Sequence, residues 1–134
     1  PAVGIVHAGW RSTVRSIAAL AVQRMMADFS SHPKNMCAAI GPSIGRCCYE
    51  VSGDVHEAFN VAFGYGERLF TKTGTNRWHL DLWEANRLQL TGCGISENRI
   101  FSHDLCTSCN ADTFFSARRH GVGSGRILSL IAIR

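Results

Sequence analysis

Three apolar runs constrain this chain most: Pro1-Ala-Val-Gly-Ile-Val6, Met36-Cys-Ala-Ala-Ile40 and Ile127-Leu-Ser-Leu-Ile-Ala-Ile133. None shows the polar alternation of a half-exposed strand, so each reads as a strand covered on both faces. Between them the apolar period changes from continuous to helical. Val14, Ile17, Ala18, Ala21, Met25 and Phe29 predict one helix, with Ser12 or Thr13 as its cap and Pro33 beyond its end. Ser52 or Asp54 opens a second helix through Val55, Phe59 and Phe63. Asp81 is placed to cap a third over residues 82–91, with Leu82, Ala85, Leu88 and Gln89 on one face and Gly92 and Gly94 as its stop. Cys48–Val51, Arg77–Leu80 and Arg99–Ser102 read as short extended pieces. Residues 67–77 read as a polar loop with a helical turn near Glu67–Phe70. Gly41–Gly45 reads as a tight loop, and His103–Asp112 as a loop rich in Cys and Asp. The order predicts an α/β protein: a mixed sheet layered with helices, an α+β-like sandwich forming a single domain over residues 1–134. A strand that begins at Pro1, with no initiator Met, predicts that this domain is incomplete at its N-terminus.

Composition narrows the function. Hydrophobic residues make up 46% of the chain and charged residues 18%, enough to bury a core. The 14 basic and 10 acidic residues give a net charge of +4, but the basic ones are dispersed. That argues against nucleic acid and suits a small anionic substrate such as phosphate. No apolar stretch approaches a membrane span and no signal peptide is visible. Six cysteines in a chain of 134 residues are too sparse for a disulfide scaffold, which predicts a reducing, cytoplasmic setting.

Five constellations can carry chemistry. Cys106-Thr-Ser-Cys109 with His103 is half of a zinc site, but the vicinal Cys47-Cys48 has the wrong spacing for the other half, so these read mainly as loop cysteines. Gly41-Pro-Ser-Ile-Gly45 can cradle a phosphate but lacks the P-loop pattern, and a simple turn accounts for it. Cys47 or Cys48 can pair with a histidine as a nucleophile; nothing in the spacing selects among His7, His56, His79 and His103. In Phe114-Phe-Ser-Ala-Arg-Arg119, one arginine can bind phosphate or carboxylate bidentately, and a solvated pair fits equally. His7 ends the first apolar run, before the turn Ala8-Gly-Trp-Arg11. A strand end before a helix is a favoured place for chemistry, yet a lone histidine there is more often structural than a ligand.

Taken together and in order, several stretches resemble one family. They are His7-Ala-Gly-Trp-Arg11, Ile40-Gly-Pro-Ser-Ile-Gly45, Cys48-Tyr-Glu-Val51, Asp81-Leu-Trp-Glu-Ala-Asn86 with Gln89-Leu90, Asp104-Leu-Cys-Thr107, Phe114-Phe-Ser-Ala-Arg-Arg119 and Gly125-Arg126. The chain resembles the laccase-domain family, long described as polyphenol oxidases and later as purine nucleoside phosphorylases with adenosine deaminase activity. The likeness covers essentially the whole chain and matches the C-terminal half of a family member. It implies a catalytic zinc held by two His and one Cys, of which only His7 maps here. The others lie in Val-His-Gly and Ala-Asp-Cys segments that this chain lacks. It implies purine nucleoside and phosphate as substrates, with Arg119 on the phosphate or substrate, Arg11 and Arg118 behind it, and His7 in the catalytic centre. Ser12, Ser43, Ala117 and His120 depart from common family residues, and Ser43 shows that a Cys at that position is not an essential ligand.

The resemblance leaves alternatives. One is copper-dependent phenol oxidation by a laccase; six scattered histidines are few for a multicopper site. A Cys–His amidohydrolase would need a Cys beside His7. A non-catalytic fragment, or a binding domain, follows if the site is lost with the missing half. A half-domain would also expose a core face and associate through it.

Overall fold

In the computed structural model, which describes residues 1–133, the first helical stretch is two helices: α1 (Trp10–Val14) and α2 (Ile17–Phe29). Ser16 separates them in the left-handed region, with φ of 59°. The cap of α1 is Gly9. Ser12 and Thr13 lie inside the helix, because both hydroxyls fold back: Ser12 Oγ donates to the carbonyls of His7 (2.8 Å) and Gly9 (3.0 Å). Ser30, also left-handed, ends α2. Then come β1 (Ala38–Ile40), β2 (Glu50–Ser52), α3 (Gly53–Ala62), β3 (Phe70–Gly74), β4 (Arg77–Leu80), α4 (Leu82–Gly92), β5 (Ile100–Ser102) and the short α5 (Ala117–His120). The chain is mixed α/β, with parallel and antiparallel pairings. It falls into two compact units.

The first unit holds residues 1–40, 82–102 and the run from Leu130. β1 and β5 pair in parallel, with Ala38 opposite Ile100 and Ile40 opposite Ser102. Ala18 and Val22 from α2, Leu90 from α4, and Met36, Ile95 and Ile100 form its buried core. Gly94, at φ of 92°, turns the chain out of α4 where a side chain would be strained. Polar groups join α1 to α4. Thr13, fully buried, accepts at its hydroxyl from Asn86 Nδ2 (3.2 Å), and Gln89 Nε2 donates to the Thr13 carbonyl (2.8 Å).

The second unit holds residues 41–81 and 103–129. Its three-stranded antiparallel sheet runs β2-β4-β3, and α3 packs Val55 and Phe59 against it. Phe59, Leu69 and Leu80 are fully buried. Ser43 makes a parallel bridge with Cys106, which links the loop after β1 to the loop after β5.

Two expectations need correction. Residues 67–77 are not a polar loop: after a turn at Gly66–Leu69 they form β3 and a hairpin to β4, with Asn76 in the left-handed region. β3 is a sheet edge whose Thr71, Lys72 and Thr73 face solvent, so its composition imitates a loop. The second correction concerns residues 1–6 and 126–133, which are not strands. Among the described residues neither run pairs with another strand, and Ile5 (59%), Leu128 (80%) and Leu130 (84%) stand exposed. A strand needs neighbours for its backbone N–H and C=O groups; these runs have the composition for burial without the elements that would bury them. No helix of the described residues is long and apolar enough to cross a membrane.

Because Thr13 and Asn86 satisfy each other away from water, Asn86→Ala leaves a buried hydroxyl short of a partner. It should cost about 1–3 kcal/mol, read as a lower urea midpoint with unchanged slope in the full-length protein. An unchanged midpoint would mean that the pair does not secure α1.

Candidate functional site

His7 lies in the extended approach to α1, with its imidazole exposed. Its carbonyl is held by Ser12, and Gly9 carries the first carbonyl of the helix, accepting from the Thr13 N–H at 2.8 Å. The Gly9 φ of −71° suits any residue. A Cβ there would stand 3.0 Å from His7 Nε2, a tight contact that the exposed ring would relieve by a small shift. Arg11 lies with its guanidinium 4.3 Å from the centre of the Trp10 ring, a cation–π contact that keeps it extended over the same turn. Among the described residues, no group of three or more metal-capable side chains includes His7.

Arg118 and Arg119 open α5, which starts after the buried Ser116. They are used differently. Arg118 donates to the Glu50 carbonyl (3.0 Å) and lies 5.5 Å from the Tyr49 ring centre, so it is part of the scaffold. The Glu50 carboxylate is taken by Arg77 at 2.7 Å. Arg119 is exposed, and among the described residues its guanidinium has no acidic partner. A shallow depression of about 370 Å³ is bordered by Asp112, Phe114, Phe115, His120 and Gly125, and Arg119 is not among its lining residues. His120 Nδ1 accepts from the Ser116 N–H (3.2 Å), and a Cβ on Gly125 would stand 2.7 Å from the Phe115 ring, so this rim requires glycine.

The thiols are where the reading of the sequence missed a grouping. Cys47, Cys48, Cys106 and Cys109 bring their sulfurs within 4.8 Å of one another, a set that could hold a metal ion. Vicinal spacing counted against Cys47-Cys48 as the second half of a site with Cys106-Thr-Ser-Cys109. Yet residues 45–49 form a turn, with the Cys48 and Tyr49 N–H groups on the Gly45 carbonyl at 2.9 and 3.0 Å. Cys47 and Cys48 each lie 3.4 Å from Cys109 Sγ. Burial alone would raise the Cys106 thiol. Backbone N–H groups of Gly45, Cys109 and Ser108, with the Cys47 thiol, point at its sulfur and bring it down to about 6. Cys47 moves the other way, pushed far above the usual thiol range by burial and then by its hydrogen bonds to Cys109, Cys106 and Cys48.

Among the described residues, no histidine joins the thiol group. His56 hydrogen-bonds Glu67 at 2.9 Å and stacks on Trp78, and His32 accepts from the Lys34 N–H.

The model of the family described as multi-copper polyphenol oxidoreductase laccase matches residues 1–134. A purine nucleoside phosphorylase of Bacteroides thetaiotaomicron is 41% identical over 133 residues, which are 98% of this chain and 49% of that protein. An adenosine deaminase named RL5, from an unknown prokaryotic organism, is 39% identical over 125 residues, 92% of this chain and 47% of that protein. The crystal structure of a Bacillus licheniformis hypothetical protein, YfiH, superposes with a TM-score of 0.81 at 37% identity, covering 87% of this chain and 44% of that one. The chain spans about half the length of the curated relatives it matches.

Gly9→Ala should move the His7 ring without unwinding α1. Imidazole NMR signals of His7 alone should shift in the full-length protein, while amide exchange across Trp10–Val14 stays as slow as in wild type. Loss of that protection would mean that Gly9 serves the backbone and not the ring.

Proposed function

The chain belongs to the multi-copper polyphenol oxidoreductase laccase family, and on that premise we propose that it carries part of the centre of a zinc-dependent purine nucleoside phosphorylase with adenosine deaminase activity. The observation that carries the reading is the His7 turn: an exposed imidazole on a backbone held by Ser12 and by the buried Thr13 of α1. One imidazole nitrogen suits zinc, which takes three protein ligands in catalytic sites and keeps a fourth position open. His7 would hold the ion together with ligands from the part of the whole protein outside this chain. When bound, zinc lowers the pKa of a water so that hydroxide for attack at C6 of adenine exists near neutral pH.

The chain's own groups do the rest. Arg119, exposed and without an acidic partner among the described residues, offers a planar fork of donors of the kind that suits phosphate. Arg118 sets the pitch of α5 through Glu50 and Tyr49 and so aims Arg119. Arg11, stacked on Trp10, adds positive charge on the His7 turn. The names of the Bacteroides and RL5 relatives, a purine nucleoside phosphorylase and an adenosine deaminase, support this reading. Copper-dependent phenol oxidation, which the family description suggests, needs several converging histidines. Among the described residues no three histidines converge.

In the full-length protein, His7→Ala should abolish both adenosine deamination and inosine phosphorolysis. Arg119→Ala should raise the phosphate KM by roughly 10- to 100-fold, the size of a lost charge-assisted hydrogen bond, and leave deamination near wild type. Equal loss of both activities in Arg119→Ala would remove that arginine from the phosphate role. Full activity in His7→Ala would overturn the proposal.

A further inference from the structure

We infer that Cys47, Cys48, Cys106 and Cys109 form a structural zinc site, separate from the His7 centre, that pins the loop after β1 to the loop after β5. The inference rests on geometry and holds whether or not the nucleoside reading does.

The distances fit one ion. Four thiolates about 2.3 Å from zinc sit at the corners of a tetrahedron with edges of about 3.8 Å. The sulfurs here are separated by 3.4 Å in two pairs and by no more than 4.8 Å in any. Closing them onto a shared ion takes side-chain movements shorter than a covalent bond. All four thiols are free, and a disulfide would join only two of the four sulfurs. An iron–sulfur cluster divides its four cysteines among two or more irons, which spreads them further apart than this group.

The backbone holds the set in place. Ser43 bonds to both sides of Cys106, its N–H on the Leu105 carbonyl (3.3 Å) and its carbonyl accepting from the Thr107 N–H (3.0 Å). Asn110 closes the turn that carries Cys106 and Cys109, donating to the Cys106 carbonyl from its backbone (3.0 Å) and from its side chain (2.8 Å). Gly45, Ser108 and Cys109 aim N–H groups at the Cys106 sulfur, the kind of support that orients a thiolate ligand. The helix-like turn at 45–49 rotates consecutive side chains by roughly 100°, so the vicinal pair reaches Cys109 from two directions. Loading the ion releases the thiol protons to solvent. Tyr49 and Glu50, which follow directly, are the partners of Arg118; the ion would thereby steady the arginine side of the unit.

Zinc and cobalt are the probes, in full-length protein carrying His7→Ala and kept reduced. This protein should retain one zinc ion per chain, released when a mercurial modifies the thiols. Cobalt in its place should give intense thiolate charge-transfer absorption and the visible bands of a tetrahedral tetrathiolate. Cys109→Ser, at an exposed position, should weaken zinc by roughly 100-fold or more, beyond what loss of a supporting hydrogen bond costs; Cys37→Ser and Cys93→Ser should not. Cys106→Ser should lose the ion as well, and should that variant fail to fold, Cys109→Ser decides. Three results would overturn the inference: a His7→Ala protein that takes up neither metal through thiolates, zinc held undiminished by Cys109→Ser, or a Cys47–Cys109 or Cys48–Cys109 disulfide in anaerobically purified protein. Nucleoside turnover reads His7 and zinc retention reads the thiols, so either reading can fail alone.

Discussion

A buried hydroxyl organises the first unit. Thr13 has no exposed surface, and its side chain and carbonyl are both claimed by α4, through Asn86 and Gln89. Left unpaired, such groups cost more than the pairing contributes, so α1 cannot slide on α4. Because α1 is only five residues long, fixing Thr13 also fixes Gly9, whose carbonyl bonds the Thr13 N–H. The His7 ring lies close over Gly9. The Asp81-Leu-Trp-Glu-Ala-Asn86 stretch and the His7-Ala-Gly-Trp-Arg11 stretch, far apart in sequence, thus form one mechanical piece.

The second unit follows a different logic. Its aromatic core, with Phe59 edge-on to Phe70 under the antiparallel sheet, is ordinary apolar burial. Hydrogen bonds about Ser43, Gly45 and Asn110 hold the loops that carry the four cysteines. A bound ion stabilises loops of this kind. One part of the chain therefore presents a single ligand on a packed helix junction. The other presents a complete thiolate set on loops, which suits a structural ion better than a reacting one.

What the sequence made legible depended on whether the cause was local. α3 and α4 follow from apolar period and glycine stops, and both lie within a residue or two of where those signals put them. The break at Ser16 carries no such mark, because a left-handed serine is set by how α1 and α2 must each pack. β3 was hidden by the solvent-facing residues of an edge strand. The runs at 1–6 and 126–133 were read correctly as apolar, but strand formation depends on neighbours, which composition does not report. For the candidate site, His7, Arg11, Arg118 and Arg119 were singled out through ordered motifs, and their roles belong to the proposed function. The grouping of Cys47-Cys48 with Cys106 and Cys109 was missed because spacing rules assume loops of familiar shape, and a turn after Gly45 makes vicinal cysteines convergent.

The two proposals give one chain two kinds of metal chemistry: a nitrogen ligand at His7 for reaction, and four sulfurs for structure. Zinc K-edge absorption of the full-length protein with His7→Ala tests that division most directly. The account predicts a single shell of four sulfurs at about 2.3 Å. A shell dominated by nitrogen or oxygen near 2.0–2.1 Å would contradict it.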